Sequence, residues 1–315
     1  MTLSAVDQRI RSLRPPKPPV DPYKAHGYLR ERERTLAGGT EESLTVFLAG
    51  AECPFTCSFC DLWRWTVDGP TRPGALAGQL ELVLQQVEVD GLRRLKLYNA
   101  SNFFDSRAVP PEDLASIAIL SRQFASVTVE SHASTIGAKA VDFAREISGR
   151  LEVAVGLESV HPVASAQLNK RLELARFDRA AGFLNENGIE LRVFVLLGTP
   201  HVPVHESLEW TLRTVEYAVN RGAKRVSIIP LRGGNGEMER LRDLGDFTPP
   251  SLLDLETALD ESARFPGVVV TADLWDVGRL ADCEACAPAR ISRLERINST
   301  GVREPRIGCD ICGAS

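Results

Sequence analysis

Seven short runs rich in Val, Leu and Ile, each set against helical sequence, limit this chain more than any other feature. The runs are 44–48, 92–98, 126–130, 151–157, 189–197, 224–230 and 267–271, with helical stretches at 75–87, 111–123, up to about 147, through 185, and at 206–221. Buried strands alternating with helices at this spacing predict a parallel sheet with helices outside it. The fold class is therefore α/β. The units are too few for a closed eight-stranded barrel and suit a partial (β/α)6-type barrel, although an open doubly wound sheet shows the same alternation. Polar residues favour the barrel: they stand at the C-terminal end of nearly every run, and in a barrel those ends converge on one mouth.

On this reading the chain divides into an N-terminal extension (1–43), the barrel (44–275) and a small tail (276–315). Residues 1–34 carry eight Arg and Lys against four acids, the pattern of a solvated, loosely ordered leader or of a phosphate-binding arm. The stretch from Arg14 to Pro19 is extended, because proline lacks an amide hydrogen and restricts its predecessor. Asp21 and Pro22 then read as the N-cap and first turn of a short helix toward Thr35, ended by Gly38 and Gly39.

Directly after the first run come Cys53, Cys57 and Cys60, spaced C-x3-C-x2-C with Phe59 before the last. By itself the loop is a zinc site short of one ligand, or three thiols packed as small hydrophobes. It also suits a 4Fe–4S cube that keeps one iron open for a further ligand. The spacing and Phe59 resemble the signature of the radical S-adenosylmethionine (radical SAM) superfamily. That resemblance implies an enzyme in which Cys53, Cys57 and Cys60 hold a 4Fe–4S cluster and S-adenosylmethionine chelates the open iron. Reductive cleavage of the sulfonium to a 5′-deoxyadenosyl radical follows from the same resemblance, as does an external low-potential electron donor of the flavodoxin or ferredoxin type. The cofactors carry that chemistry, and the protein supplies placement and exclusion of water.

The strand ends then take roles under the resemblance. Asn99 and Ser101 stand where the family has a Gly-Gly-Glu-like segment that meets the methionine amino group; equally, they make a turn. Glu130 and Ser131, then Glu158 and Ser159, end two buried runs, where carboxylates need partners such as ribose hydroxyls, an ammonium, or a structural salt bridge. Lys170 is placed against the methionine carboxylate, and Phe59 joins the cofactor-binding set through the signature. Arg192 lies inside the otherwise apolar fifth run; it needs a carboxylate if it faces the lumen, and it is placed in the cofactor-binding set. His132 is read as a substrate contact, with His201 and His205 as further loop histidines. Trp63 and Trp65 cover the cluster, stack on a base or pack under the loop.

The other four cysteines form two C-x2-C pairs, Cys283 with Cys286 and Cys309 with Cys312, separated by 22 residues. Four thiolates at this spacing read as a Zn2+ site, with an auxiliary iron–sulfur cluster as the rival.

Phrases at 98–105, 129–131, 155–159, 168–170 and 226–230 are similar to the branch containing archaeosine synthase and the Elongator catalytic subunit. The similarity implies modification of a tRNA nucleoside, with tRNA as a partner. The net charge of −5 gives no overall field toward nucleic acid and permits a small metabolite or natural-product precursor instead. A non-catalytic iron–sulfur or zinc protein is the third reading, and it leaves the polar strand ends without a purpose. No apolar run approaches bilayer-spanning length and the N-terminus lacks a secretory pattern. With seven cysteines in three tight groups, the expectation is metal ligation in a reducing cytoplasm.

Overall fold

Eight strands lie side by side in chain order in the computed structural model, which describes residues 3–313. They are β1 (Gly27–Arg34), β2 (Thr40–Phe47), β3 (Leu92–Tyr98), β4 (Ser126–Glu130), β5 (Arg150–Glu158), β6 (Glu190–Leu197), β7 (Arg225–Pro230) and β8 (Val269–Ala272). From β2 to β8 all neighbours pair parallel; β1 pairs antiparallel with β2. A doubly wound sheet would reverse its strand order at a switch point. Here the order never reverses, and the sheet curls into a half-barrel.

The helices are α1 (Ala5–Ser12), α2 (Ala75–Gln86), α3 (Pro111–Leu120), α4 (Ala138–Glu146), α5 (Ala164–Gln167), α6 (Leu174–Glu186), α7 (Ser207–Asn220), α8 (Glu237–Asp243), α9 (Leu252–Glu261) and α10 (Ala287–Thr300). Strand side chains alternate between two faces. Val46, Leu97, Val129, Val153, Val193 and Val226 all point outward into the core shared with the helices.

The alternate positions carry charge into the lower lumen. Glu152 accepts from Arg192 Nε at 2.7 Å, Arg225 Nη1 at 2.8 Å and Thr128 Oγ1 at 3.0 Å, with Arg94 Nη1 at 3.3 Å. Burial opposes the charge on Glu152, but Arg192, Arg94 and Arg225 outweigh it and hold the carboxyl down at about 2. Glu41 takes the other side of Arg94 at 2.7 Å. A buried charge is tolerated when it is paired, and each guanidinium of this layer meets a carboxylate, although Arg94 Nη2 and Arg225 Nε have no partner of their own.

β1 corrects the expected helix after Asp21. Its alternation puts Glu31 and Glu33 on one face, where Lys96 Nζ donates to them at 2.6 and 2.7 Å, and Arg192 Nη2 donates to Glu33 at 3.0 Å. A helix could not aim residues two apart at the same lumen. Gly38 (φ +89°) makes the turn to β2, with Thr35 N–H donating to the Gly39 carbonyl at 2.7 Å.

The leader is likewise packed rather than loose. Arg9 pairs with Glu237 at 3.1 Å, Arg14 with Glu52 at 2.8 Å and Lys17 with Asp68 at 2.9 Å. At the other end, α10 docks on the barrel. Leu294 and Ile297 join the main core, Asn298 exchanges two hydrogen bonds with Ala272 of β8, and Arg293 meets Asp260 at 2.8 Å. Among the described residues, no helix is long and apolar enough to cross a membrane.

Candidate functional site

β2 feeds a loop that carries Cys53, Cys57 and Cys60 at the C-terminal end of the strands. Segments that follow three other strands hold the loop. Asn102 Nδ2 donates to Cys53 Sγ at 3.4 Å, Ser58 N–H to the Leu168 carbonyl at 2.9 Å, and Asn235 Nδ2 to the Ser58 carbonyl at 2.8 Å and that of Cys60 at 3.3 Å. Phe59 packs beside Leu168, Leu196, Leu231 and Met238 in a small apolar cluster of its own.

Burial pushes the Cys57 thiol up to about 12 and raises Cys60 and Cys53 as well. Lys170 opposes that rise at Cys57 and Cys53. Bare thiolates are therefore unstable here, and a bound metal is what would deprotonate them.

Beside the loop lie polar groups with nothing to bind. Asn99 is fully buried, yet neither its Nδ2 nor its Oδ1 has a hydrogen-bond partner, and the buried Ser101 and Ser58 hydroxyls are also unpaired. Native proteins seldom leave so many buried polar atoms unsatisfied together, so this corner fits a polar ligand. Glu130, ending β4, accepts the Asn99 N–H at 3.0 Å. Burial raises its pKa to about 7 against the opposing backbone amides and Lys170. Glu158, ending β5 with φ +69°, receives Lys170 Nζ at 2.6 Å. Gly156 lies beneath this pair, and a Cβ there would displace Glu158 Oε1 and Lys170 Nζ.

Most other residues singled out in the sequence are occupied. The Ser131 hydroxyl exchanges a bond with Thr135 at 2.8 Å, and Ser159 Oγ accepts the His161 N–H at 3.2 Å. Arg192 belongs to the charge layer below, shared between Glu33 and Glu152. The His132 ring lies 4.2 Å from that of Phe55, its Nδ1 accepts the Ser134 N–H at 3.1 Å, and burial lowers its pKa to about 3. Burial and the nearby Lys170 charge thus favour the neutral ring, whose buried Nε2 has no hydrogen-bond partner. His205 is exposed, and His201 N–H donates to the Asp246 carbonyl at 2.7 Å. Trp63 is buried with the Arg14 guanidinium 4.7 Å from its ring centroid, and Trp65 packs on His26 at 5.3 Å.

Asp7, Asn102 and Asn235 were not singled out in the sequence, although all three support the loop. Ser4 and Asp7 do carry a legible signal, the capping-box pattern of Ser followed three residues later by an acid. The upper lumen is aromatic: Tyr98 stands 6.4 Å from both Phe47 and Phe194, and Phe47 stands 6.1 Å from Trp275, a residue 65% exposed at the rim. Arg232 reaches Asp273 at 3.3 Å, while its buried Nε has no partner.

The tail forms a second centre. The sulfurs of Cys283, Cys286, Cys309 and Cys312 all lie within 4.8 Å of one another, with Cys283–Cys309 at 4.0 Å and Cys286–Cys312 at 3.9 Å. Backbone N–H groups of Cys312 and Ile311 lower the Cys309 thiol to about 7. Arg290 Nε donates to Cys286 Sγ at 3.3 Å, tying α10 to the site.

No protein-family model matches the sequence, and no curated protein matches it. Solved structures do. Methylornithine synthase (PylB) is similar at a TM-score of 0.54 and 16% identity, over 80% of this chain and 67% of that one. SuiB from Streptococcus suis, solved with S-adenosylmethionine bound, gives 0.52 and 16% over 71% of this chain and 48% of its own. The archaeal Methanocaldococcus infernus Elp3, lacking residues 1–46, gives 0.53 and 11% over 71% and 59%. This chain spans about half the length of SuiB. At 11–16% identity these likenesses speak to the fold, and they are to structures of radical SAM enzymes. The chain therefore has the fold of the radical SAM enzymes.

Proposed function

We propose that this protein is a radical SAM enzyme that modifies a nucleoside in tRNA. The observation that carries the enzyme assignment is the unpaired Asn99 amide and Ser101 hydroxyl beside the three-cysteine loop, a corner that suits a polar cofactor. Cys53, Cys57 and Cys60 would hold a 4Fe–4S cluster, and Asn99, Ser101, Glu130, Glu158 and Lys170 would receive S-adenosylmethionine. When bound, these groups supply reductive cleavage of the sulfonium and a carbon radical for hydrogen abstraction.

The chain's own residues do the rest. Lys170 brings a fixed positive charge beside the thiols, and Glu158 orients it. Glu130 fixes the turn at Asn99 through its backbone N–H, and with a pKa of about 7 it can also hold or give up a proton near neutrality. The charge layer around Glu152 and the aromatic rings above it close the floor, which keeps bulk water from the reacting centre. In the tail, Cys283, Cys286, Cys309 and Cys312 would hold Zn2+. Zinc–sulfur bonds of about 2.3 Å place tetrahedral sulfurs roughly 3.8 Å apart, close to the spacing present. A reducing cytoplasm suits both centres, and a flavodoxin- or ferredoxin-type protein would supply the electron.

The nucleoside reading is supported by Phe47, Tyr98, Phe194 and Trp275 together with the unpaired Arg232 Nε, since unstacked bases bind on aromatic faces and phosphates on guanidinium groups. The leader gives it little, because Arg9, Arg14 and Lys17 are consumed by intramolecular acids. Binding of unmodified tRNA is the test. The expected result is affinity that falls steeply with salt and drops about tenfold in Trp275→Ala, the loss of one base stack. Salt-insensitive binding, or a Trp275→Ala variant that binds as the wild type does, would leave the small-metabolite reading in its place.

A further inference from the structure

Asp7 is 1% exposed, although it sits on the N-terminal helix that precedes the barrel. Its carboxylate gathers donors from three separate stretches of chain. Oδ2 accepts the Ser4 N–H at 2.9 Å and the Ser4 hydroxyl at 2.8 Å, the capping box of α1. Oδ1 accepts the Thr56 hydroxyl and Asn169 Nδ2, the latter at 3.0 Å. Arg171 closes the set with an ion pair to Oδ2.

These partners are placed tellingly. Thr56 immediately precedes Cys57, and Asn169 and Arg171 flank Lys170. Both flanking residues are left-handed, with φ of +53° and +57°, a conformation that non-glycine residues keep only where surroundings over-determine it. Asp7 supplies that determination. With its neighbours held outward, Lys170 meets Glu158 at 2.6 Å and interacts electrostatically with Cys57 and Cys53. Asn169 Nδ2 also donates to the Thr56 carbonyl at 2.9 Å, so the loop and the lysine segment are stitched directly. The far end of α1 is anchored too. Arg9 pairs with Glu237, and the Leu13 carbonyl lies where a Cβ on Gly236 (φ +89°) would stand.

We infer that Asp7 is a positioning residue of the cofactor site, tying the cysteine loop to the Asn169–Arg171 segment and so setting Lys170 beside the thiols. The inference rests on the reading that this loop holds a 4Fe–4S cluster with S-adenosylmethionine, and it extends the site to a helix outside the barrel. Every group facing Asp7 is a donor, so an amide in its place would turn an NH2 toward at least one of them.

The test uses the anaerobically reconstituted full chain as wild type, Asp7→Asn, Lys170→Ala and the double variant. Two quantities are followed: iron loss to a chelator, and the midpoint of the spectral change on titration with S-adenosylmethionine. In Asp7→Asn, iron is expected to leave about tenfold faster and the midpoint to weaken about tenfold, with circular dichroism and tail-metal content unchanged. In the Lys170→Ala background, Asp7→Asn should shift the midpoint no further, since coupled residues are non-additive. Wild-type iron retention and midpoint in Asp7→Asn, or fully additive shifts in the double variant, would overturn the inference. Should Asp7→Asn not fold, Thr56→Val removes a single hydroxyl from the same junction and is read by the same two quantities. A wild-type protein that takes up no cluster overturns the reading of the loop; a loaded wild type with an indifferent Asp7→Asn overturns only the role of Asp7.

Discussion

Lys170 Nζ stands 2.6 Å from Glu158 Oε1, and both side chains lie above Gly156, whose missing Cβ leaves room for them. A methyl group at position 156 must displace the pair. Gly156→Ala is expected to weaken the response to S-adenosylmethionine about tenfold or more while iron content stays at the wild-type level. Overpacking of this kind costs roughly 1–3 kcal/mol of stability. Titration and iron analysis on one preparation check it; equal loss of iron and ligand response would point to general unfolding instead.

Glu152 is the acid on which Arg94, Arg192 and Arg225 converge. Glu152→Ala leaves those guanidiniums short of a shared partner in a buried layer, and stability should fall by about 3–5 kcal/mol. Urea unfolding gives the number. A loss under about 1 kcal/mol would mean that water reaches this layer and solvates the charges.

Glu130 behaves oppositely to Glu152 with pH. Burial lifts its pKa from an ordinary 4.5 to about 7, so the folded state binds more protons than the unfolded one. This group's contribution therefore favours folding least at high pH, and stability declines as pH rises from about 4.5 through 7. Glu130→Gln should remove that decline. Unfolding free energies at pH 5 and pH 8 test it: the wild-type difference between the two should exceed that of the variant, and identical differences would refute the assignment.

The tail is expected to hold one zinc per chain while the loop holds about four irons. Removing the tail metal should lower the melting temperature by several degrees, because Arg290 links Cys286 to Glu256 and to the Ile307 carbonyl. About eight irons and no zinc, found by elemental analysis of the purified protein, would replace zinc by a second cluster.

Much of this was legible in the sequence wherever a single residue's chemistry demanded it. The three-cysteine loop, the paired C-x2-C tail and the apolar alternation of Val46, Leu97 and Val193 announce their places locally. Arg192 was expected to meet a carboxylate and to join the cofactor-binding set; the two carboxylates it meets, Glu33 and Glu152, belong to the charge layer below. What stayed hidden depends on long-range pairing. Gly27–Arg34 is too polar to read as a strand, because its stability comes from Lys96 and Arg192, which lie far along the chain. Asp7 looked like part of a solvated leader, since its partners Thr56, Asn169 and Arg171 come together only when the barrel curls. His132 was read as a substrate contact from its place at the mouth, and sequence could not show that burial and the Lys170 charge lower its pKa to about 3.

The proposed function stands on cleavage of S-adenosylmethionine at the loop of Cys53, Cys57 and Cys60. The most direct measurement is 5′-deoxyadenosine formation by the anaerobically reconstituted, reduced protein, compared with a Cys57→Ala variant. Nucleoside product is expected from the wild type and none above background from the variant. Equal yields from both, or none from a wild type shown to carry its cluster, would contradict it.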